Sequence, residues 1–275
     1  MDEVAAFMTT RLVVVRDDAD LTACALKLLD HDFRHLPVVD EEGALVGVLA
    51  DIEVFARIGF TSLDEPALAV LEPGADELTA GALCRPARVV SSPTANLLPV
   101  LRRMLSERSD CVLVVSDDKP VGILTEHDAL RLAQAQVDSR LATRHCGTQP
   151  VLTVPLDCSV ARAWQIMTAA GIRHLCVTDE VGVLRGVISH RDLVREGAES
   201  EAPVQALLGH QLVWTVDRTA TLPEVTRWMI AGRVGCIPVV NDQDRPLSVI
   251  TRTDVIDALV GALEEGELFV DHEAV

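Results

Sequence analysis

The sequence predicts an α/β (α+β) fold of four tandem repeats, each a small three-stranded sheet with two helices, paired into two modules. Three observations predict it. A pattern about 20 residues long occurs four times: RHLPVVDEEGALVGVLADIE (Arg34 to Glu53), DCVLVVSDDKPVGILTEHD (Asp110 to Asp128), RHLCVTDEVGVLRGVISHRD (Arg173 to Asp192) and GCIPVVNDQDRPLSVITRTD (Gly235 to Asp254). The first apolar runs begin at His35, Cys111, His174 and Cys236, separated by 76, 63 and 62 residues, which is the period of a repeated supersecondary unit. Fifteen residues before each run stand Asp20, Asn96, Ser159 and Thr221, all preferred helix N-caps.

After each cap, one helical face repeats in register: Leu21, Cys24 and Leu28; Leu97, Val100 and Met104; Val160, Ala163 and Met167; Leu222, Val225 and Met229. A short apolar segment precedes each cap, at Leu12 to Val15, Val89 to Val90, Val151 to Val154 and Leu212 to Val216. The two core strands of each repeat are joined by turn chemistry at Asp40 to Gly43, Asp117 to Pro120, Asp179 to Gly182 and Asn241 to Pro246. Closing helices begin after Ala50, Thr125, Ser189 and Thr251. Each unit therefore reads strand, helix, strand, turn, strand, helix. So small a sheet leaves an apolar face uncovered, and the units are expected to pair. Residues 59–80 form the longest insertion, 196–203 an acidic linker and 264–275 an acidic tail expected to fray.

Composition narrows the function. A chain of 275 residues buries roughly three quarters of its unfolded surface. Tyr is absent and 49% of residues are hydrophobic, so the core is aliphatic. A net charge of -18 opposes a general nucleic-acid or acidic-membrane surface. An anion must then find a local basic pocket. The seven cysteines show no CxxC pair, and Cys111, Cys176 and Cys236 lie in apolar runs, as buried free thiols of a reducing compartment do. Cys146 beside His145 is the candidate for a thiol of lowered pKa. No HExxH or Cys/His ligand spacing marks a metal site, and no P-loop or nucleophile motif marks a catalyst. The acidic start MDEVAAFMTT lacks a signal-peptide pattern and no apolar stretch approaches 18 residues, so a cytoplasmic protein is expected.

The endings GILTEHDAL (Gly122 to Leu130) and GVISHRDLV (Gly186 to Val194), with the strands Leu36 to Val39 and Ile237 to Val240, resemble the cystathionine β-synthase (CBS) domain family. The resemblance covers four copies, at about residues 4–60, 78–136, 141–198 and 204–262. It implies two Bateman modules, each with two clefts between paired repeats that bind an adenine nucleotide (AMP, ADP or ATP) or another adenosyl compound. It implies a regulatory protein, not an enzyme, with no catalytic cofactor. A homo-oligomer or an unidentified regulated protein is the implied partner.

In the family pattern, Gly-h-h-Thr/Ser-x-x-Asp supplies a hydroxyl near phosphate or ribose and a carboxylate for the two ribose hydroxyls. Matched here are Gly122, Thr125 and Asp128; Gly186, Ser189 and Asp192; and Thr251 and Asp254, with Ser248 in the glycine position. The first repeat departs, with Ala50 and Glu53, and its cleft is expected to be empty or weak. The partner strand is implied to bring cations to the phosphates: Arg34 and His35 toward Thr125 and Asp128, Arg173 and His174 toward Thr251 and Asp254. Ser189 and Asp192 face Gly235 and Cys236, with His190 and Arg191 beside them in partial compensation. Thr-x-x-Asp is equally a helix cap, and the two roles are compatible. Trp164, Trp214 and Trp228 read as core, although Trp214 falls on an expected first strand. Two rival functions are an S-adenosylmethionine-type sensor and an assembly module with vestigial clefts.

Overall fold

The computed structural model describes residues 3–31, 33–60, 68–70, 78–136, 151–209 and 213–265. Asp20, Asn96, Ser159 and Thr221 stand at the N-caps of four helices, as their spacing predicts. The first repeat runs β1 (Val15–Arg16), α1 (Leu21–Asp30), β2 (His35–Val39), β3 (Leu45–Ala50) and α2 (Asp51–Phe55). An antiparallel pair, β4 (Ile58–Phe60) and β5 (Leu68–Val70), occupies part of the insertion, followed by α3 (Ala80–Leu83). The second repeat comprises β6 (Val90–Ser91), α4 (Leu97–Ser106), β7 (Cys111–Ser116), β8 (Lys119–Thr125) and α5 (Glu126–Gln136). The third has β9 (Thr153–Pro155), α6 (Val160–Ala170), β10 (His174–Thr178), β11 (Leu184–Ser189) and α7 (His190–Glu196). The fourth has α8 (Leu222–Gly232), β12 (Cys236–Val240), β13 (Pro246–Thr251) and α9 (Arg252–Glu265).

Three of the caps act through their own oxygens. Asp20 accepts from the Ala23 amide at 2.7 Å, Asn96 from Leu98 at 3.2 Å and Ser159 from Arg162 at 3.2 Å. Thr221 instead donates its hydroxyl to Glu224 at 2.9 Å, whose carboxylate also takes the Thr221 amide. All twelve apolar positions predicted on the helix faces are buried, none exposing more than 5%. Their aliphatic side chains fill each core with the middle strands, as Leu36 and Val38 do in the first repeat and Leu175 and Val177 in the third.

Three sheets have three strands, a parallel first pair and an antiparallel second one. Their first strands begin one to three residues later than the apolar pattern suggests. The fourth sheet has two strands. The segment expected as its first strand is held by one parallel bridge, Val216 to Val239, and Trp214 lies outside any strand. Gly43 and Gly182 take left-handed backbone (φ +82°) in the turns after β2 and β10, a conformation a Cβ would strain. Residues 141–150, with His145 and Cys146, lie outside the described residues, as does the tail beyond Glu265.

Contacts divide the chain into two units, residues 1–125 and 126–275. The boundary departs from the repeat limits: α5, closing the second repeat, packs on α8 and α9 of the second unit. Ala129, Leu130 and Ala133 are buried there on one face of α5. Within the first unit the two repeats exchange leading segments. Thr9 bridges to Ile123 of β8, and Arg85 bridges to Val48 of β3. In the second unit Leu208, leading into the fourth repeat, covers Gly186 of β11.

A methyl group on Gly47 would stand 2.5 Å from the Arg85 carbonyl oxygen, a backbone atom that cannot swing aside. Gly47→Ala is expected to destabilise the protein by about 1–3 kcal/mol in urea unfolding. Gly261→Ala, in helix α9 with open space around it, is expected to stabilise by up to about 1 kcal/mol.

Candidate functional site

In the second unit, two third strands end on residues that switch the chain into a helix. At the β11–α7 junction, the Asp192 Oδ2 accepts from the Ser189 amide at 2.7 Å and from its hydroxyl at 2.6 Å. At the β13–α9 junction, Asp254 Oδ2 accepts from the Thr251 amide at 2.7 Å and its hydroxyl at 2.6 Å. Each carboxylate closes a cap with one oxygen. The other oxygen of each has no hydrogen bond among the described residues, so capping and ligand recognition do not compete for the same atom.

The polar residues immediately beside these caps carry the charge. Glu126, the first residue of α5, accepts from Arg173 at 2.9 Å through Oε1 and lies 3.6 Å from Arg252 through Oε2. One carboxylate thus joins the residue before β10 to the first residue of α9. Arg252 is 7% exposed and Glu126 9%, so this pair is buried, whereas the Arg173 side chain is half exposed. Arg252 also donates to the Val234 carbonyl at 3.3 Å. Its Nε is buried with no acceptor among the described residues.

Burial lowers the Arg252 pKa, the Glu126 charge partly restores it, and repulsion from Arg191 and Arg173 lowers it again. Three guanidiniums therefore lie close enough to repel one another, and Glu126 pairs with two of them, Arg173 and Arg252. His190 stacks on Trp164 with ring centroids 4.3 Å apart. Burial, then repulsion from Arg173 and Arg191, holds its pKa below the usual range. Guanidinium, imidazole and carboxylate groups thus meet in one region of the second unit.

Arg173, Ser189, Asp192, Thr251 and Asp254 thus belong to one unit, with Arg173 tied through Glu126 to the helix start that carries Asp254. His174 lies against Gly235, its Nε2 2.6 Å from where a Cβ on that residue would be. Gly186 is covered by Leu208, and Ser248 is buried. In the first unit, His35 is paired with Asp110 at 3.0 Å. Burial works against charge on this imidazole, but Cys111 and Asp110 outweigh it and push its pKa up to about 10. Arg34 precedes β2, Gly122 and Thr125 lie on β8, and Gly122 is covered by Met8. Asp128 stands in the first turn of α5, in the second unit. Glu53 of the first repeat takes the Ala50 amide at 3.1 Å and an ion pair from Arg85.

Sequence reasoning missed Glu126 and Arg252 and gave Arg191 only an auxiliary part. The signal available was their place between the hydroxyl and the acid of each ending, in TEHD, SHRD and TRTD. Two surface hollows of the first unit, of 430 and 320 Å³, are lined by Asp17, Asp18, Val46, Thr79 and Gly81 and by Arg11, Val13, His31 and Phe33. Neither includes a candidate ligand-binding residue.

A family model described as "CBS domain" matches residues 4–59, 80–135, 144–199 and 210–261. Protein MJ1404 of Methanocaldococcus jannaschii is 24% identical over 266 residues, covering 89% of this chain and 60% of the relative. Protein MK0525 of Methanopyrus kandleri is 29% identical over 121 residues, covering 43% of this chain and 62% of the relative. The chain thus spans about three fifths of the length of each of these relatives. Among solved structures, protein MJ1225 of Methanocaldococcus jannaschii superposes with a TM-score of 0.77 at 18% identity, covering 94% of this chain and all of that one, a likeness of fold.

Glu126→Gln removes the charge that offsets buried Arg252, and a loss of about 3 kcal/mol is expected in urea unfolding. Added inorganic phosphate is expected to recover part of it. Because its folded pKa is depressed, His190 contributes stability above its unfolded pKa of about 6.5 that is lost as pH falls below it. NMR titration should place its midpoint below that value. Phosphate, by offsetting Arg173 and Arg191, should move the midpoint upward.

Proposed function

The chain belongs to the CBS-domain family, and on that premise we propose that it is a regulatory sensor of an adenine nucleotide, AMP, ADP or ATP, bound in the second unit. The observation that carries this reading is the cluster of Arg173, Arg191 and Arg252 around Glu126, in the same unit as two capping carboxylates that each close a helix with one oxygen. Phosphates engage the arginines, in the charge-assisted geometry guanidinium favours. Asp254 or Asp192 accepts from the ribose hydroxyls with its second oxygen. His174 and Ser189 complete the lining. Clustered guanidiniums favour a phosphate-bearing nucleotide over S-adenosylmethionine, which carries a sulfonium cation and no phosphate.

The role is binding, not catalysis. Occupancy changes the relative stability of conformations that a partner, a second copy or a regulated protein, then reads. No described helix is long and apolar enough to cross a membrane. We place the protein in the cytoplasm on its thiol content, in keeping with a nucleotide ligand. A second reading, an assembly module, is favoured by one observation: Ser189/Asp192 and Thr251/Asp254 already satisfy each other as caps.

Thermal-shift and calorimetric titration with AMP, ADP, ATP and S-adenosylmethionine separates the readings. A nucleotide at about 100 times its Kd is expected to add roughly 2.7 kcal/mol of stability. Arg173→Gln, at a half-exposed position, is expected to weaken that nucleotide about tenfold or more, the loss of one charge-assisted hydrogen bond. No shift with any nucleotide would leave the assembly reading standing.

A further inference from the structure

The two units are built on the same plan but differ where the middle strands of their paired repeats begin. In the second unit, His174 and Cys236 open β10 and β12, with Gly235 before the cysteine. In the first unit the corresponding residues are His35, Cys111 and Asp110. One added carboxylate turns a His/Cys pair into a nitrogen, oxygen and sulfur set, whose ligand atoms lie within 4.8 Å of one another. We propose that His35 Nε2, Asp110 Oδ1 and Cys111 Sγ form a three-ligand site for a zinc-class divalent cation, with a fourth position open to water or an incoming ligand.

The chemistry of the donors selects the ion class. Imidazole and thiolate suit zinc and its neighbours, while magnesium and calcium require an all-oxygen shell. The spacing is close to what is needed. Ligand atoms at ~2.0–2.3 Å from a tetrahedral ion stand roughly 3.3–3.8 Å apart. The His35–Asp110 contact at 3.0 Å must open slightly, and the other separations, all within 4.8 Å, must close by no more than about 1 Å.

The site is built into structure, not laid on it. His35 and Cys111 are fixed by the first residues of two strands, and the His35 side chain is 8% exposed. Ser109, whose hydroxyl donates to the Cys111 carbonyl at 2.7 Å, braces the same bend. On binding, Sγ–H and the proton held between His35 and Asp110 leave to solvent, and three metal–ligand bonds form. A bound ion clamps the first repeat to the second, so the first unit would report metal while the second reports nucleotide. The inference is independent of the nucleotide reading.

No sequence spacing announces the site. His35 and Cys111 are 76 residues apart, and pairing of the repeats alone joins them.

The test is titration of Co²⁺ and Zn²⁺ into the full, tag-free, reduced and chelator-stripped chain. The expected result is one Co²⁺ per chain with the visible bands of a four-coordinate ion, a near-ultraviolet thiolate-to-cobalt charge-transfer band, and displacement by Zn²⁺. The charge-transfer band should vanish in Cys111→Ser and persist in a chain with both Cys84→Ser and Cys158→Ser. Asp110→Gly guards against a folding failure, because Gly235 shows that the same position in the second unit accepts glycine. With the fold verified by circular dichroism, Asp110→Gly is expected to bind Co²⁺ more weakly by upwards of roughly tenfold, at least the loss seen for an outer-shell partner. A band that is absent, that survives Cys111→Ser, or an affinity unchanged in Asp110→Gly would overturn the proposal.

Discussion

A guanidinium removed from water costs several kcal/mol unless a carboxylate meets it, and the second unit is built around one such meeting. Arg252 opens α9 at 7% exposure, and its charge is met by Glu126 from α5. Glu126 also takes Arg173 from the edge of β10. The elements that converge on this carboxylate come from the second, third and fourth repeats. The packing of α5 on α8 and α9, the position of the β13–α9 junction and the start of β10 all meet that one electrostatic demand. One carboxylate is shared by two arginines with a third nearby, and the proposed nucleotide site is built on that cluster.

Hydroxyl and acid at each strand-to-helix junction serve the fold first. Thr251 with Asp254 and Ser189 with Asp192 cap their helices, the acid lying against the positive end of the helix dipole. The cap fixes the carboxylate's direction before any ligand arrives, so the cost of ordering it falls on folding and not on binding. Divergence among the repeats follows the same logic. The first repeat has Ala50 and Glu53 at these positions, and Glu53 turns to Arg85 of the exchanged leading segment. Its acid is committed to holding two repeats together.

Much of the architecture could be read from the chain because helix caps and helix faces are local. Asp20, Asn96, Ser159 and Thr221 start their helices, and the residues one, four and eight places on are buried. Strand limits were less legible. A short run such as Leu12 to Val15 is apolar over more residues than the two that pair, because Val13 packs on the core from outside the ladder. The expected first strand at Leu212 to Val216 reduces to one bridge. Long-range features left no local trace. Nothing near Thr9 names Ile123, nothing near His35 names Asp110, and Glu126 looks like an ordinary first-turn acid until Arg173 and Arg252 are brought to it. The expected partnership of Arg173 with the Thr251 helix rested on the CBS resemblance, and here the link runs through a residue between the two.

Crystals of the full chain grown with ADP would test the central claim most directly, because the claim is a placement of atoms. It predicts phosphate oxygens at about 2.7–3.2 Å from guanidinium nitrogens of Arg252 and Arg173, with ribose hydroxyls on the uncommitted oxygen of Asp254 or Asp192. Nucleotide bound away from these arginines, or a saturated crystal with none bound in the second unit, would contradict it.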